Sequence, residues 1–188
     1  MTSCFRAHLA MPRIVLTGGP GAGKTTLLRG LSSRGYAVVD DTARTIIQNR
    51  SSRSLPPRPR PLEFAEEILR RDIEKYREHA SASGYVFFER GILDALCMLD
   101  QVRPLQPAEL QSLVSAYPYH PQVFLLPPWE AIYTNDSERD QTFADAVRVH
   151  EMCAGWYRRC GYEVIEVPTT TVAARCTYVL RALGREAA

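Results

Sequence analysis

Lysine is almost missing from this 188-residue chain: Lys24 and Lys75 are the only two, and every other one of its 23 basic residues is arginine. Those 23 are balanced by 21 acidic residues, a net charge of +2, so no overall field points to nucleic acid or to an anionic membrane surface. Long apolar runs are lacking too. The longest are far short of the roughly 20 residues needed to cross a bilayer, and residues 1–10 hold no stretch long enough for a secretory signal. The cysteines (Cys4, Cys97, Cys153, Cys160 and Cys176) are odd in number and form no C-x-x-C pair, which argues against a disulfide framework or a zinc site. They read as the reduced thiols of a cytoplasmic protein. With 45% hydrophobic and 23% charged residues, the composition sits near the globular average and allows a buried core. The length suits one domain, read as residues 11–188 behind a disordered tail or mis-assigned start at 1–10.

Short apolar runs mark the strands: Arg13–Thr17, Tyr36–Asp40, Tyr85–Glu89, Gln122–Leu126 and Tyr162–Val167. Most are rich in Val, Ile, Leu or Phe without strict alternation, as in parallel strands buried on both faces. Helical spacing lies between them. Leu62, Ala65, Leu69, Ile73, Tyr76 and Ala80 follow steps of three and four and predict one apolar face on a helix from about Pro61 to Ala80. Thr142–Tyr157 and Val172–Leu183 are further helical candidates, with Gly84 and Gly161 as stops before strands. Strands alternating with helices predict an α/β fold that binds ligands at the carboxyl ends of a parallel sheet. Arg50–Pro61 interrupts this pattern with four arginines, four prolines and no acid. It reads as a mobile solvated loop, or as a substrate-closing loop whose arginines meet an anion.

Directly after the first strand come Gly18, Gly19, Pro20, Gly21, Ala22, Gly23, Lys24 and Thr25, which fit G-x-x-x-x-G-K-[ST], and Thr26 continues into a helix. The glycines let the backbone wrap a phosphate chain with its N–H groups inward, and the helix N-terminus adds positive potential. One of the only two lysines falls where it can reach the β- and γ-phosphates, and the Thr25 hydroxyl can join a magnesium shell.

Magnesium needs a carboxylate partner, and the third strand ends in Glu89. Its structural alternative is to cap the next turn or to pair with Arg90, itself placed either to touch a transferring phosphoryl group or to brace the sheet end. Asp94 divides between substrate contact and helix N-terminal charge. After the second strand, Asp41 stands where a substrate hydroxyl could be deprotonated, with helix N-capping by Asp40 or Asp41 as the competitor. A polar loop bearing Arg139 follows the fourth strand and leads into a helix carrying Arg148, an arrangement suited to a lid over the γ-phosphate or to a capped helix with a charged outer face. The base of the nucleotide is expected near Pro168–Thr171, with Arg175 beside it. No guanine-reading box falls at Lys75, so ATP is expected and GTP is not excluded.

With these residues assembled, the chain resembles a family of small P-loop domains known as predicted AAA-type ATPases, which is also similar to the ribosylnicotinamide kinase domain of bacterial NAD regulators. The resemblance runs from Met11 almost to the end. It rests on the Thr17–Leu28 phosphate loop, Asp41-x-Ala-Arg44, Glu89-Arg90-Gly-x-x-Asp94, Val123–Trp129 with Tyr133, Asp136 and Arg139, and Gly161–Pro168. It implies a three-layer fold with a five-stranded parallel sheet. Its acid–Arg pair resembles that of deoxynucleoside and thymidylate kinases, which implies Glu89 on magnesium, Arg90 on phosphates, Asp41 toward the acceptor and Arg139 in the lid. Glu89 stands where Asp is usual and Asp41 where Glu is usual.

Two functions compete at this level. One is a kinase moving the γ-phosphoryl of ATP to a hydroxyl of a nucleoside-like or other small molecule. The other is a nucleotide-dependent switch that orders loops to meet a protein or lipid partner. A ring motor would need a further helical domain, for which 188 residues leave no room. The acceptor and the oligomeric state are not legible.

Overall fold

Alternation along each strand decides which side chains reach which layer. The computed structural model describes residues 13–133 and 142–185, so the expected tail at 1–10, Arg139 and its loop lie outside the described residues. Strands β1 (Arg13–Gly18), β2 (Ala37–Val39), β3 (Val86–Glu89), β4 (Gln122–Leu126) and β5 (Glu163–Glu166) form one sheet, ordered β2-β3-β1-β4-β5. Every pairing is parallel, with Leu16 in register with Glu89 on one side and Phe124 on the other. Ile14, Leu16, Phe87, Phe124 and Leu126 turn to one face, where α1 (Lys24–Ser32) and α7 (Val172–Ala182) cover them. Val15, Val39, Val86, Phe88 and Val123 turn to the other, under α3 (Pro61–Glu78), α4 (Ile92–Val102) and α6 (Phe143–Arg159). The expected three-layer α/β sandwich is what the chain forms.

Helices α2 (Thr42–Ser51) and α5 (Pro107–Ala116) complete the architecture. The sequence marked α2 and α4 only at their first turns and α5 not at all. The physical reasons differ. In α4, Ile92–Cys97 are buried without a break, so no one-sided apolar stripe exists to be read. In α5, Leu110 is the one buried residue, so the stripe is too thin.

The face expected on α3 holds at its centre, where Ala65 and Tyr76 are buried and Leu69 and Ile73 pack against the core, but its ends Leu62 and Ala80 are exposed, and Phe64, Ile68 and Asp72 are buried besides. Helix α3 packs on α4 and also joins a small cluster with Ile46 and Ile47 of α2, which extends its buried side to Phe64, Ile68 and Asp72. The Arg/Pro segment is shorter than expected. Arg50 and Ser51 complete α2, and Pro61 occupies the first turn of α3, where a missing N–H costs nothing. Between them, Arg50 Nε donates to the Pro56 carbonyl at 2.8 Å.

The strand order brings the chemistry together. β2, β3 and β1 are neighbours, so the residues leaving their carboxyl ends, Asp41, Glu89 and the Gly18–Thr25 loop, meet at one edge of the sheet.

Candidate active site

The loop between β1 and α1 is built around close approaches. A Cβ on Gly19 would stand 2.4 Å from the Ala146 carbonyl oxygen of α6, and Gly23, the N-cap of α1, has φ of 81°. Only glycine meets both demands cheaply. Lys24 is 6% exposed, and its Nζ donates to the carbonyl oxygens of Gly18 at 3.0 Å and Gly19 at 2.7 Å. Burial lowers its pKa to about 8, and the Arg90 charge adds to the shift, while Glu89 and Asp41 oppose it.

Thr25 Oγ1 donates to Glu89 Oε1 at 2.9 Å. Glu89 is buried, and burial raises its pKa against the opposing charge of Lys24. Its recorded partner is thus Thr25, while Arg90 is held by other carboxylates. The Arg90 guanidinium lies 3.4 Å (Nε) from Asp41 Oδ2 and 3.5 Å (Nη1) from Asp94 Oδ1. Burial alone would lower the Arg90 pKa, but Asp41 and Asp94 outweigh it and the net shift is upward.

Of the two roles set against each other in the sequence, Asp41 shows the helix cap. Its Oδ1 accepts from the Ala43 N–H at 2.8 Å as the N-cap of α2, while Oδ2 faces Arg90. Asp94 is occupied on both oxygens. Oδ1 accepts from Thr17 Oγ1 at 2.5 Å, and Oδ2 accepts from Tyr157 OH at 2.7 Å and the Gly91 N–H at 3.0 Å. The Gly91 contact fits the helix-terminus reading of Asp94, which also lines the cleft. Arg148 pairs with Asp145 on α6.

One cleft of about 1040 Å³ runs past Lys24, Thr25, Asp41, Glu89, Arg90 and Asp94. Pro20–Thr26 form its floor, with Asp41, Glu89 and Arg90 beyond. At one end lie Trp129, Ile132, Thr170, Thr171 and Arg175, the region expected to hold a base, with Arg175 Cζ 5.4 Å from the centre of the Trp129 ring. At the other end are Ile47, Phe64, Ile68, Ala95, Met98 and Asp72. Asp72 was missed in the sequence. It is buried, it accepts a hydrogen bond from Thr42 Oγ1, and its pKa is pushed up to about 7 by burial. The signal was present: Phe64, Ile68, Asp72 and Tyr76 follow in steps of four, an acid within an apolar stripe.

The donors available to a divalent cation are the Thr25 hydroxyl and the Glu89 carboxylate, both hard oxygens and already adjacent. That pair fits magnesium, which takes most of its shell from water and phosphate rather than from a protein cage. Among the described residues, no three His, Cys, Asp or Glu side chains gather to hold a metal alone.

A phosphate-wrapping loop at the carboxyl edge of a five-stranded parallel sheet defines a P-loop nucleoside-triphosphate-binding fold. A family model described as AAA domain matches residues 13–175, and the chain belongs to that family. No curated protein sequence matches it. Among solved structures, the chain is similar to deoxyadenosine kinase from M. mycoides with bound dATP, at 12% identity and a TM-score of 0.61, over 93% of this chain and 99% of that one. It is also similar to shikimate kinase from Acinetobacter baumannii in complex with shikimate (17%, TM-score 0.54, 95% and 96% covered). Thymidylate kinase from Candida albicans is a third (13%, TM-score 0.55, 93% and 91% covered). These likenesses establish the shared fold. No helix among the described residues is long and apolar enough to cross a membrane.

Proposed function

We propose that this protein is a small-molecule kinase that moves the γ-phosphoryl of ATP to a hydroxyl of a nucleoside-like acceptor. One observation carries the reading: a single cleft is lined by the phosphate loop, by the Asp41–Arg90 pair and by an apolar cluster of α2, α3 and α4, which gives a donor and an acceptor room beside the same charged groups. Kinases of three different acceptors share the fold, which supports the same reading.

In this scheme the backbone N–H groups of Gly21–Thr26 hold the phosphates, and Lys24 exchanges its carbonyl partners for β- and γ-phosphate oxygens. Thr25 and Glu89 hold magnesium, whose contribution is to neutralise phosphate charge. Asp41 accepts the proton of the acceptor hydroxyl through the oxygen that faces Arg90. The acceptor oxygen then forms a bond to the γ-phosphorus as the β,γ-bridging P–O bond breaks and ADP leaves. Arg90, fixed between Asp41 and Asp94, stabilises charge on the moving phosphoryl group. Arg139 is assigned to the lid over it.

The test is turnover of isotope-labelled ATP with magnesium by wild type and Lys24→Ala, with and without a pool of nucleosides, ribosyl compounds and shikimate. A new phosphorylated species that needs both the pool and Lys24 is the expected result. Nucleotide binding without any phosphorylated product would overturn the kinase reading and favour a nucleotide-dependent switch.

A further inference from the structure

The far chamber of the cleft is mainly apolar, though Arg44, Arg58 and Gln101 also line the cleft. Ile47 of α2, Phe64 and Ile68 of α3, and Ala95 and Met98 of α4 form its walls, and four of these five belong to one packed cluster with Met98 against it. Asp72 lies one turn beyond Ile68 on the same side of α3, lines the same space and is only 8% exposed. Its Oδ1 accepts from Thr42, whereas Oδ2 has no hydrogen-bond partner among the described residues, and no cation pairs with it there. Oδ2 opens onto the cleft, where a bound molecule can donate to it. Arg44 and Arg58 line the same cleft and are engaged elsewhere, Arg58 being exposed and Arg44 half-buried.

Asp72 is also tied to the reacting end. Its partner Thr42 is the first residue of α2 and follows Asp41 directly, so whatever docks on Asp72 is held at a fixed offset from the Asp41 carboxylate. Apolar walls with one placed polar group are the usual construction of a small-molecule site, the polar group setting orientation.

On the kinase reading above, we infer that this chamber is the acceptor's subsite and that Asp72 is its specificity-determining group. It takes a neutral, ring-bearing alcohol whose ring edge donates a hydrogen bond to the Asp72 carboxyl. An anionic group is disfavoured at the end of the acceptor that meets Asp72, because it would face a carboxyl group.

The experiment measures binding to the intact protein loaded with magnesium and a non-hydrolysable ATP analogue. The probes are uridine and 3-methyluridine, cytidine and N4,N4-dimethylcytidine, and shikimate. At least one parent nucleoside is expected to bind, with its methylated partner about tenfold weaker or worse on wild type, because methylation removes the donor. Asp72→Leu, an apolar replacement of similar size, is expected to weaken the parent by a similar factor and to reduce the methylation effect to under about twofold. If the variant does not fold, the parent-to-methylated comparison on wild type still decides. The inference fails if neither parent nucleoside binds, if shikimate binds better than both, or if methylation or Asp72→Leu changes nothing. Labelled ATP separates the two readings. Donor-dependent binding without transfer by wild type sinks the kinase and keeps the subsite, whereas transfer that is indifferent to methylation and to Asp72 does the reverse.

Discussion

At Arg90 the backbone turns left-handed, with φ of 63°, a conformation that non-glycine residues hold only where their surroundings force it. The forcing groups are visible. The Arg90 N–H donates to the Leu16 carbonyl at 2.9 Å and so extends the β3–β1 ladder by one bond, while the guanidinium is drawn back to Asp41 and Asp94. Removing the side chain leaves two carboxylates facing each other, with Asp94 keeping Thr17, Tyr157 and Gly91 as donors and Asp41 keeping its cap. Arg90→Ala is therefore expected to lose about 2 kcal/mol of stability, together with nearly all phosphoryl transfer. Arg90→Gly removes the same guanidinium but also relieves the left-handed strain, so its urea midpoint should correspond to about 1 kcal/mol more stability than Arg90→Ala. Equal midpoints for the two variants would show that no strain is stored there. The site was legible at this scale wherever a residue type is rare or its place is fixed by a motif, as for Lys24, Thr25 and Glu89. The network behind it was not, because Thr17, Asp94 and Tyr157 meet across 77 and 63 residues of chain and nothing in their local sequence records the meeting.

At the scale of single elements, α2 begins on a residue with two duties. Asp41 Oδ1 caps the helix and Oδ2 faces Arg90, so one side chain fixes both where α2 starts and where the charge sits. The duties separate by substitution. Asp41→Asn keeps a capping oxygen and loses the charge, and is expected to change stability by less than about 1 kcal/mol while lowering turnover by about 100-fold or more. Asp41→Ala should match that loss of activity and also cost about 1 kcal/mol through the cap. If Asp41→Asn keeps near-wild-type turnover, Asp41 is a cap and nothing more. The same helices explain which parts of the fold could be read in advance. Strand centres were recovered because β-runs such as Val86–Glu89 are short, dense and bounded by turn residues. Helix α3 was recovered in extent and in one of its buried sides, but a helix that closes over a cleft buries a second side that includes an acid, and a simple apolar stripe cannot show that.

Across the whole molecule, the cleft is lined by residues from α1, α2, α3, α4, α6 and α7, so a ligand within it bridges both layers that flank the sheet. Binding there must stabilise the entire fold by mass action. Magnesium ATP at about 100 times its dissociation constant is worth about 2.7 kcal/mol, an increase in Tm of roughly 5–10 °C for a chain of this size, and Lys24→Ala should show almost none of it. A shift of equal size in Lys24→Ala would place the nucleotide elsewhere.

The buried acid of α3 gives the global stability a pH dependence of definite sign. Asp72 takes up its proton near pH 7 in the folded chain, against 3.8 for an ordinary aspartate, because burial disfavours the anion. The hydrogen bond from Thr42 and the charge of Lys75 oppose that rise, while Asp41 and Asp94 add to it. Tyr119 is the remaining titratable group coupled to it. The folded state thus holds this proton more tightly than the unfolded chain does. Its contribution to stability is complete below about pH 4 and is lost as the pH rises through 7, at most about 4 kcal/mol over the full range. Asp72→Asn cannot ionise. Its Tm relative to wild type should therefore climb by several degrees between pH 5.5 and 8.5, measured by calorimetry in the absence of nucleotide, so that the variant is the relatively more stable protein at the alkaline end. Parallel curves would mean that Asp72 ionises as it would in water, with its carboxyl reaching solvent rather than the apolar wall.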